Sequence, residues 1–370
     1  MRTPRTRSLL PAPRPTKLST VQITAAQALA WRLNRQFLSP RTSAGPETVV
    51  DRVCGVQAQV ASAAATTIAK RQTTKNPGKA KLVKTWAMRG TLHLCTAQKV
   101  GSYLSLIAEA RTWTKPSWQK AFGATPQEID QLTEATRQIL EGRALTRAEL
   151  VEELLQDRQF QKIEAELRSG WGTLLKPLAW RGALCHGTGP DGRTTFTTPS
   201  TLIPGWAGIP DPEEAAPIVI SDYLGAYGPS TPEKFDAWLT RGTSKKGTLK
   251  KWFAALEKEL TEVEVDGQKA FVLNQHADQL RATQPSQDVH LLGPFDTYVL
   301  GAGTKDTWML PAEHRSKVSR AAGWIAPVIL HGGRIVGTWE RQGDRVVPDF
   351  FPGQKTVISA EQIKQVIEDD

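Results

Sequence analysis

Between residues 24 and 273 one local order is written three times: helical segments, then a β hairpin. Such a recurrence constrains the fold more than any composition, because repeated supersecondary units must bury their apolar faces on one another. In the first copy, Thr24 with Gln27 three residues later is a capping-box pattern. Ala28, Trp31, Leu33 and Leu38 then follow at roughly helical spacing. Pro46, a favoured first-turn residue, opens PETVVDRVCGV, and VASAAATTIAKRQ predicts a third helix. KTWAMRGTLHLC, residues 84–95, has strand-like composition broken at Arg89-Gly90. Three short helices and a hairpin describe a winged helix, a helix-turn-helix with a β wing attached.

The second copy opens on another capping box, Thr146 with Glu149, and runs through WGTLLKPLAWRG. Its hairpin turns at Pro190-Asp191-Gly192, and AWRGALCHG echoes WAMRGTLHLC. The third begins at STPEKFDAWL, continues through SKKGTLKKWFAALEKEL and ends in EVEVDGQKAFVL, with Asp266-Gly267 as the turn. Beyond it, residues 324–350 show three β runs separated by His331-Gly332-Gly333 and Gln342-Gly343-Asp344, and ISAEQIKQVIE predicts a closing helix. The expected class is α+β: three tandem winged-helix units and a C-terminal β-rich hairpin region. The expected segments are a basic arm (1–17), units over 18–120, 121–210 and 211–285, and the β-rich region over 286–370.

A formal net charge of +10 suits a polyanionic partner, though it also fits a soluble basic enzyme. The arm has five basic residues and no acid, and is expected to be disordered. No apolar run approaches the roughly 20 residues of a spanning helix, so no membrane attachment is expected. Cys54, Cys95 and Cys185 have neither disulfide-framework nor zinc-ligand spacing, which predicts a reducing, cytoplasmic setting. No phosphate loop, Rossmann fingerprint, HExxH or nucleophile elbow occurs, so neither cofactor nor metal is expected.

The basic run at residues 70–84 holds six Lys or Arg and no acid; it fits a phosphate-contacting face and equally a solvated linker. Lys245 and Lys246 sit where a recognition helix would start, which tips SKKGTLKK toward DNA. Arg334, Trp339, Arg341 and Arg345 surround a β turn, as in a ribbon that enters a groove, or as in an edge kept polar against aggregation.

CGVQAQVAS, residues 54–62, sets two amides either side of one alanine in small and apolar company. Neither Gln57 nor Gln59 can ionise, but each can donate and accept, and together they could hold one water. At two-residue spacing they share a face only in extended backbone, which predicts a helix junction between Gly55 and Ala61. The plainer alternative has one glutamine capping a helix and the other facing solvent.

GVQAQ, WAMRGTLHL, LLGPFDTYV and APVILHGGRIVGTW together resemble the winged-helix DNA glycosylases of the AlkZ/YcaQ type, over nearly the whole chain outside the arm. Their catalytic pair is Gln-x-Asp in one branch and Gln-x-Gln in the other; Gln57-Ala58-Gln59 is similar to the second, AlkZ branch. The resemblance implies winged-helix units around a DNA channel. It also implies removal of N7-alkylated purines and unhooking of interstrand crosslinks, as in azinomycin self-resistance. It gives the catalytic roles to Gln57 and Gln59 and a DNA-probing role to the hairpin at residues 331–345. Arg89, His93, His331, Arg334, Trp339, Arg341, Lys245 and Lys246 are the expected DNA contacts. The expected partner is double-stranded DNA carrying such lesions, and the expected state a monomer. The rival expectation is a winged-helix DNA binder without catalysis, such as a transcriptional regulator. It explains charge and fold but not the paired glutamines.

Overall fold

In the computed structural model, the described residues are 21–74, 80–189, 192–343, 345–353, 358 and 360–368. The expected basic arm, the centre of the 70–84 run, Pro190-Asp191 of the second turn and Asp344 lie outside them.

The chain enters through strand β1 (Val21–Ile23) and helix α1 (Ala25–Arg35). Helix α1 starts at the expected capping box: Gln27 N donates to Thr24 Oγ1 at 3.2 Å and Thr24 N to Gln27 Oε1 at 3.0 Å. Helix α2 (Pro46–Arg52) has its proline in the first turn, and a two-residue strand β2 (Val56–Gln57) leads to helix α3 (Ala61–Ala69). The first hairpin is β3 (Leu82–Trp86) and β4 (Leu92–Thr96), followed by helix α4 (Val100–Glu109). The later hairpins are β5 (Cys185–Thr188) with β6 (Thr194–Thr197), and β7 (Leu260–Val265) with β8 (Gln268–Leu273). Asp266 and Gly267 turn the third hairpin with φ of 45° and 80°, the left-handed pair that a two-residue loop requires. The C-terminal strands are β9 (Val289–Leu292), β10 (Val328–His331), β11 (Arg334–Gln342) and β12 (Arg345–Phe350). The chain closes in the helix Ala360–Glu368.

The hairpins are less separate than their repetition in sequence implies. Lys84 of β3 pairs with His186 of β5, so the first two merge into one five-stranded sheet, ordered β2-β4-β3-β5-β6. The third is joined by the N-terminal strand: β1 runs parallel to β7, Val21 opposite Val263. The C-terminal sheet is ordered β12-β11-β10-β9. Three helices outside the expected pattern build the scaffold: α4, Pro126–Leu140 and Pro212–Tyr227. The largest apolar cluster runs through them from Cys54 to Leu273. A second cluster sets Leu29 and Leu33 of α1 and Ala63 of α3 against Leu292 and Leu330 of the C-terminal sheet. Two buried ion pairs cross between these regions: Arg32 Nη1 donates to Asp306 Oδ2 at 2.8 Å, and Arg71 Nη2 to Asp296 Oδ1 at 2.7 Å. The architecture is mixed α+β. Among the described residues no helix is long and apolar enough to cross a membrane.

Candidate active site

The path from α2 to α3 is a sharp reversal. Cys54 and Gly55 both take positive φ, 56° and 90°. A Cβ on Gly55 would lie 3.0 Å from Met88 Cε and 3.2 Å from the Leu94 carbonyl oxygen, so this step needs glycine. The reversal lays the next residues along the edge of β4: Val56 faces Leu94, Gln57 faces His93, and Ala58 N donates to Leu92 O at 2.7 Å. Gln57 therefore lies on extended backbone and Gln59 in the bend that leads into α3, together at a helix junction. Gln57 is 6% exposed, whereas Gln59 is open to solvent.

The two amide oxygens are held by the β3–β4 connection and by the first residue of β4. Gln57 Oε1 accepts from Arg89 Nη2 at 3.2 Å and lies 3.3 Å from Thr91 Oγ1. Gln59 Oε1 accepts from Leu92 N at 3.4 Å, a long bond. The two amide NH2 groups thus turn away from that connection.

Arg89 and His93 were expected to face DNA; the structure buries His93 and leaves Arg89 half-buried, its guanidinium engaged by the protein. Arg89 sits at φ 59° and donates through Nη1 to Trp238 O at 3.1 Å, in the last turn of the helix Pro232–Thr240. Burial, with Arg241 nearby, lowers its pKa to about 10, so it stays charged at neutral pH. His93 is 2% exposed. Its Nδ1 meets Thr91 O at 3.0 Å; a carbonyl only accepts, so Nδ1 carries the proton. Burial and the Arg89 charge push its pKa down to about 3, and a neutral, enclosed imidazole offers no cation to a phosphate.

The C-terminal residues form a separate group. The Gly332-Gly333 turn, expected to approach DNA, is packed inside. Tyr298 Oη donates to Gly333 O at 2.8 Å, and a Cβ on Gly333 would lie 2.9 Å from Leu29 Cβ. Trp339, expected among the DNA contacts, donates its indole N–H to Leu292 O at 3.0 Å and is half-buried against β9. His331 is half-buried, while Arg334, Arg341, Gly343 and Arg345 are exposed. The free end of this sheet is therefore the β11–β12 tip. Arg341 is close enough to Lys70, just past α3, to help lower its pKa to about 8, behind burial and Arg41. Because Gln59 lies just before α3 and Lys70 just after it, that helix, about 14 Å long, links the glutamine pair to the tip.

Lys245 and Lys246 are exposed at the start of the helix Lys246–Ala255, on a third site. Lys246 lines a cleft of about 1150 Å³ with Asp236, Phe253 and Phe271. Sequence reasoning missed Thr91, Lys176 and Arg241. Lys176 packs by Gly90, where a Cβ would lie 3.8 Å from its Cδ, and its pKa is lowered by burial and by Arg241. Arg241 is exposed at the end of the helix Pro232–Thr240, at φ 66°. The available signal was the recurring Arg-Gly step, at 89–90, 181–182 and 241–242. Among the described residues no three His, Cys, Asp or Glu side chains converge as a metal site would need.

Comparison with known proteins places these features in context. The family model described as DNA glycosylase AlkZ-like matches residues 50–353. An interstrand DNA cross-link repair glycosylase of Streptomyces sahachiroi is 52% identical over 334 residues, covering 88% of this chain and 90% of the relative. The solved structure of Streptomyces sahachiroi DNA glycosylase AlkZ superimposes with a TM-score of 0.90 at 49% identity, covering 94% of this chain and 95% of that one. The chain belongs to the AlkZ-like family of DNA glycosylases.

Proposed function

We propose that this chain hydrolyses the N-glycosidic bond of N7-alkylated purines in double-stranded DNA and so unhooks interstrand crosslinks, with Gln57 and Gln59 placing the attacking water. The observation that carries the reading is the pair itself: two amides at one helix junction, anchored by oxygen to the β3–β4 connection and to the first residue of β4. The likeness to a crosslink-repair relative supports the substrate class.

The chemistry suits amides. An N7-alkylguanine is already cationic and departs as a neutral base, so no acid need protonate it. Bond breaking passes through an oxocarbenium-like sugar that the flanking phosphates help stabilise. What remains is to hold water at the open face of the sugar, and ideal placement is worth up to about 7–11 kcal/mol. A general base adds roughly 10²–10⁴-fold, part of which a primed leaving group makes dispensable.

Within this reading the three hairpins are the wings of units spanning 18–120, 121–210 and 211–285, which together with the region 286–370 line the DNA path. Arg334 and Arg341, with Lys245 and Lys246, bind phosphates on that path, and His331 lies beside them. The protein acts as a cytoplasmic monomer, and the lesion met in the cell is a crosslink of the azinomycin type.

The test is single-turnover release of free base from duplex DNA bearing N7-methylguanine, without metal or nucleotide. Gln57→Ala and Gln59→Ala should each lower the rate while leaving DNA affinity nearly intact. Because both act on one water, the double variant should cost less than the product of the singles. Full rate in either single variant would remove the shared-water role. Binding without any base release by the native chain would leave only the regulator reading.

A further inference from the structure

We infer that Arg89 is a positioning residue that locks the Gln57 amide with its NH2 toward the substrate, so that Gln57 acts as a hydrogen-bond donor and Gln59 supplies the acceptor. This rests on the reading of the glutamine pair given above.

The argument turns on which neighbour of Gln57 decides the amide's orientation. Thr91 cannot decide it. Its one hydroxyl proton is shared between Gln57 Oε1 at 3.3 Å and Met88 O at 3.1 Å, and an oxygen that donates to Met88 would equally accept from a reversed amide. Arg89 can decide it. A guanidinium has five donors and no acceptor, so the atom facing Nη2 at 3.2 Å must be the amide oxygen. Reversing Gln57 would set N–H against N–H next to a half-buried charge.

Arg89 is itself fixed from two sides. Its left-handed backbone, followed by Gly90 at φ 68°, folds the side chain back over the sheet edge. Its second nitrogen donates to Trp238 O, among the carbonyls that end the helix Pro232–Thr240, where the helix dipole favours a cation. With its oxygen occupied, Gln57 has only N–H groups to offer. Gln59 has only a long bond to Leu92 N, is open to solvent, and keeps acceptor capacity for a proton of the water.

The experiment is a double-variant cycle of Arg89→Met and Gln57→Ala, read as single-turnover excision of N7-methylguanine beside the Kd for the same duplex. Arg89→Met should lower the rate by roughly 10²-fold, the usual consequence of a misplaced group, with Kd nearly unchanged because the guanidinium is engaged by Gln57 and the Trp238 carbonyl. In the Gln57→Ala background it should cost almost nothing further. A purely structural role would lower the rate in both backgrounds, and a DNA-contacting role would raise Kd in step; either result overturns the inference. The contrast between Gln57→Glu and Gln59→Glu tests the same point without disturbing Arg89, and so stands if Arg89→Met fails to fold. A glutamate at 57 keeps the partner of Arg89 but loses the donor, so its rate should fall about tenfold or more below that of Gln59→Glu. Equal losses would overturn the division of labour. If Gln57→Ala itself retains full rate, it is the reading of the pair that fails, not the orientation of its amide.

Discussion

Gln57 owes its place to the residue two before it. Gly55 sits at φ 90° with Met88, Leu94 and Cys95 crowding the position of a Cβ. Gly55→Ala should therefore destabilise the fold by about 1–3 kcal/mol and pull β2 off β4. The check is a urea melt run beside an excision assay: the loss of rate should persist at temperatures where the variant is still folded. Unchanged stability would mean that the reversal tolerates a side chain. At this scale the sequence was legible where chemistry is carried by residue type. The amide pair and its junction between helices follow from CGVQAQVAS. The engagement of Arg89 by the protein and the burial of His93 were not legible. The first depends on a left-handed backbone and on a carbonyl of a helix far away in sequence, and neither leaves a local pattern.

Among the elements, hairpins and capped helices were legible because turn chemistry and caps are local. The box at Thr24 and the Asp266-Gly267 turn lie where expected. The scaffold helices were missed for different reasons. Helix α4 is buried on nearly every side and has no polar face to mark a period. The helix Pro212–Tyr227 carries Pro217 inside it, which reads as a break. The C-terminal sheet shows a subtler error. Two glycines made 332–333 look like the free tip, yet they are small because Tyr298, Leu29 and Ser286 press on them. The tip to test is the β11–β12 end. Arg341→Gln and Arg345→Gln should each reduce the salt dependence of DNA binding by about one unit per lost phosphate contact. Shortening this tip should lower excision more than affinity, as measured by single-turnover rate beside Kd at several salt concentrations. Equal losses would make the tip an anchor only, and no loss in either would take it off the DNA path.

Across the whole molecule, acid acts through histidines that full or partial burial keeps neutral. His93 is pushed down to about 3, and His186 and His290 to about 4, in each case first by burial. Unfolded, each would titrate near 6.5. The folded chain therefore binds fewer protons than the unfolded chain below that pH. This stabilisation is complete above about pH 6.5 and is lost as the pH falls toward 4. Urea midpoints measured from pH 7 to pH 4.5 should fall steadily, before most carboxylates titrate; a flat profile would mean that these rings are not kept neutral.

The pairing of β1 with β7 also sets an order of assembly during synthesis. Val21 leaves the ribosome early, but its partner Val263 follows only after nearly all of the intervening chain has been made. At ordinary translation speeds that wait is on the order of ten to fifty seconds. Through it the first strand has an open edge, and Arg32 and Arg71 lack the carboxylates of Asp306 and Asp296 that allow them to be buried. A nascent chain halted before residue 296 holds the glutamines and their turn but neither of the two carboxylates that clasp the N-terminal segment. A stretch made late is therefore what secures the segment that carries the glutamines.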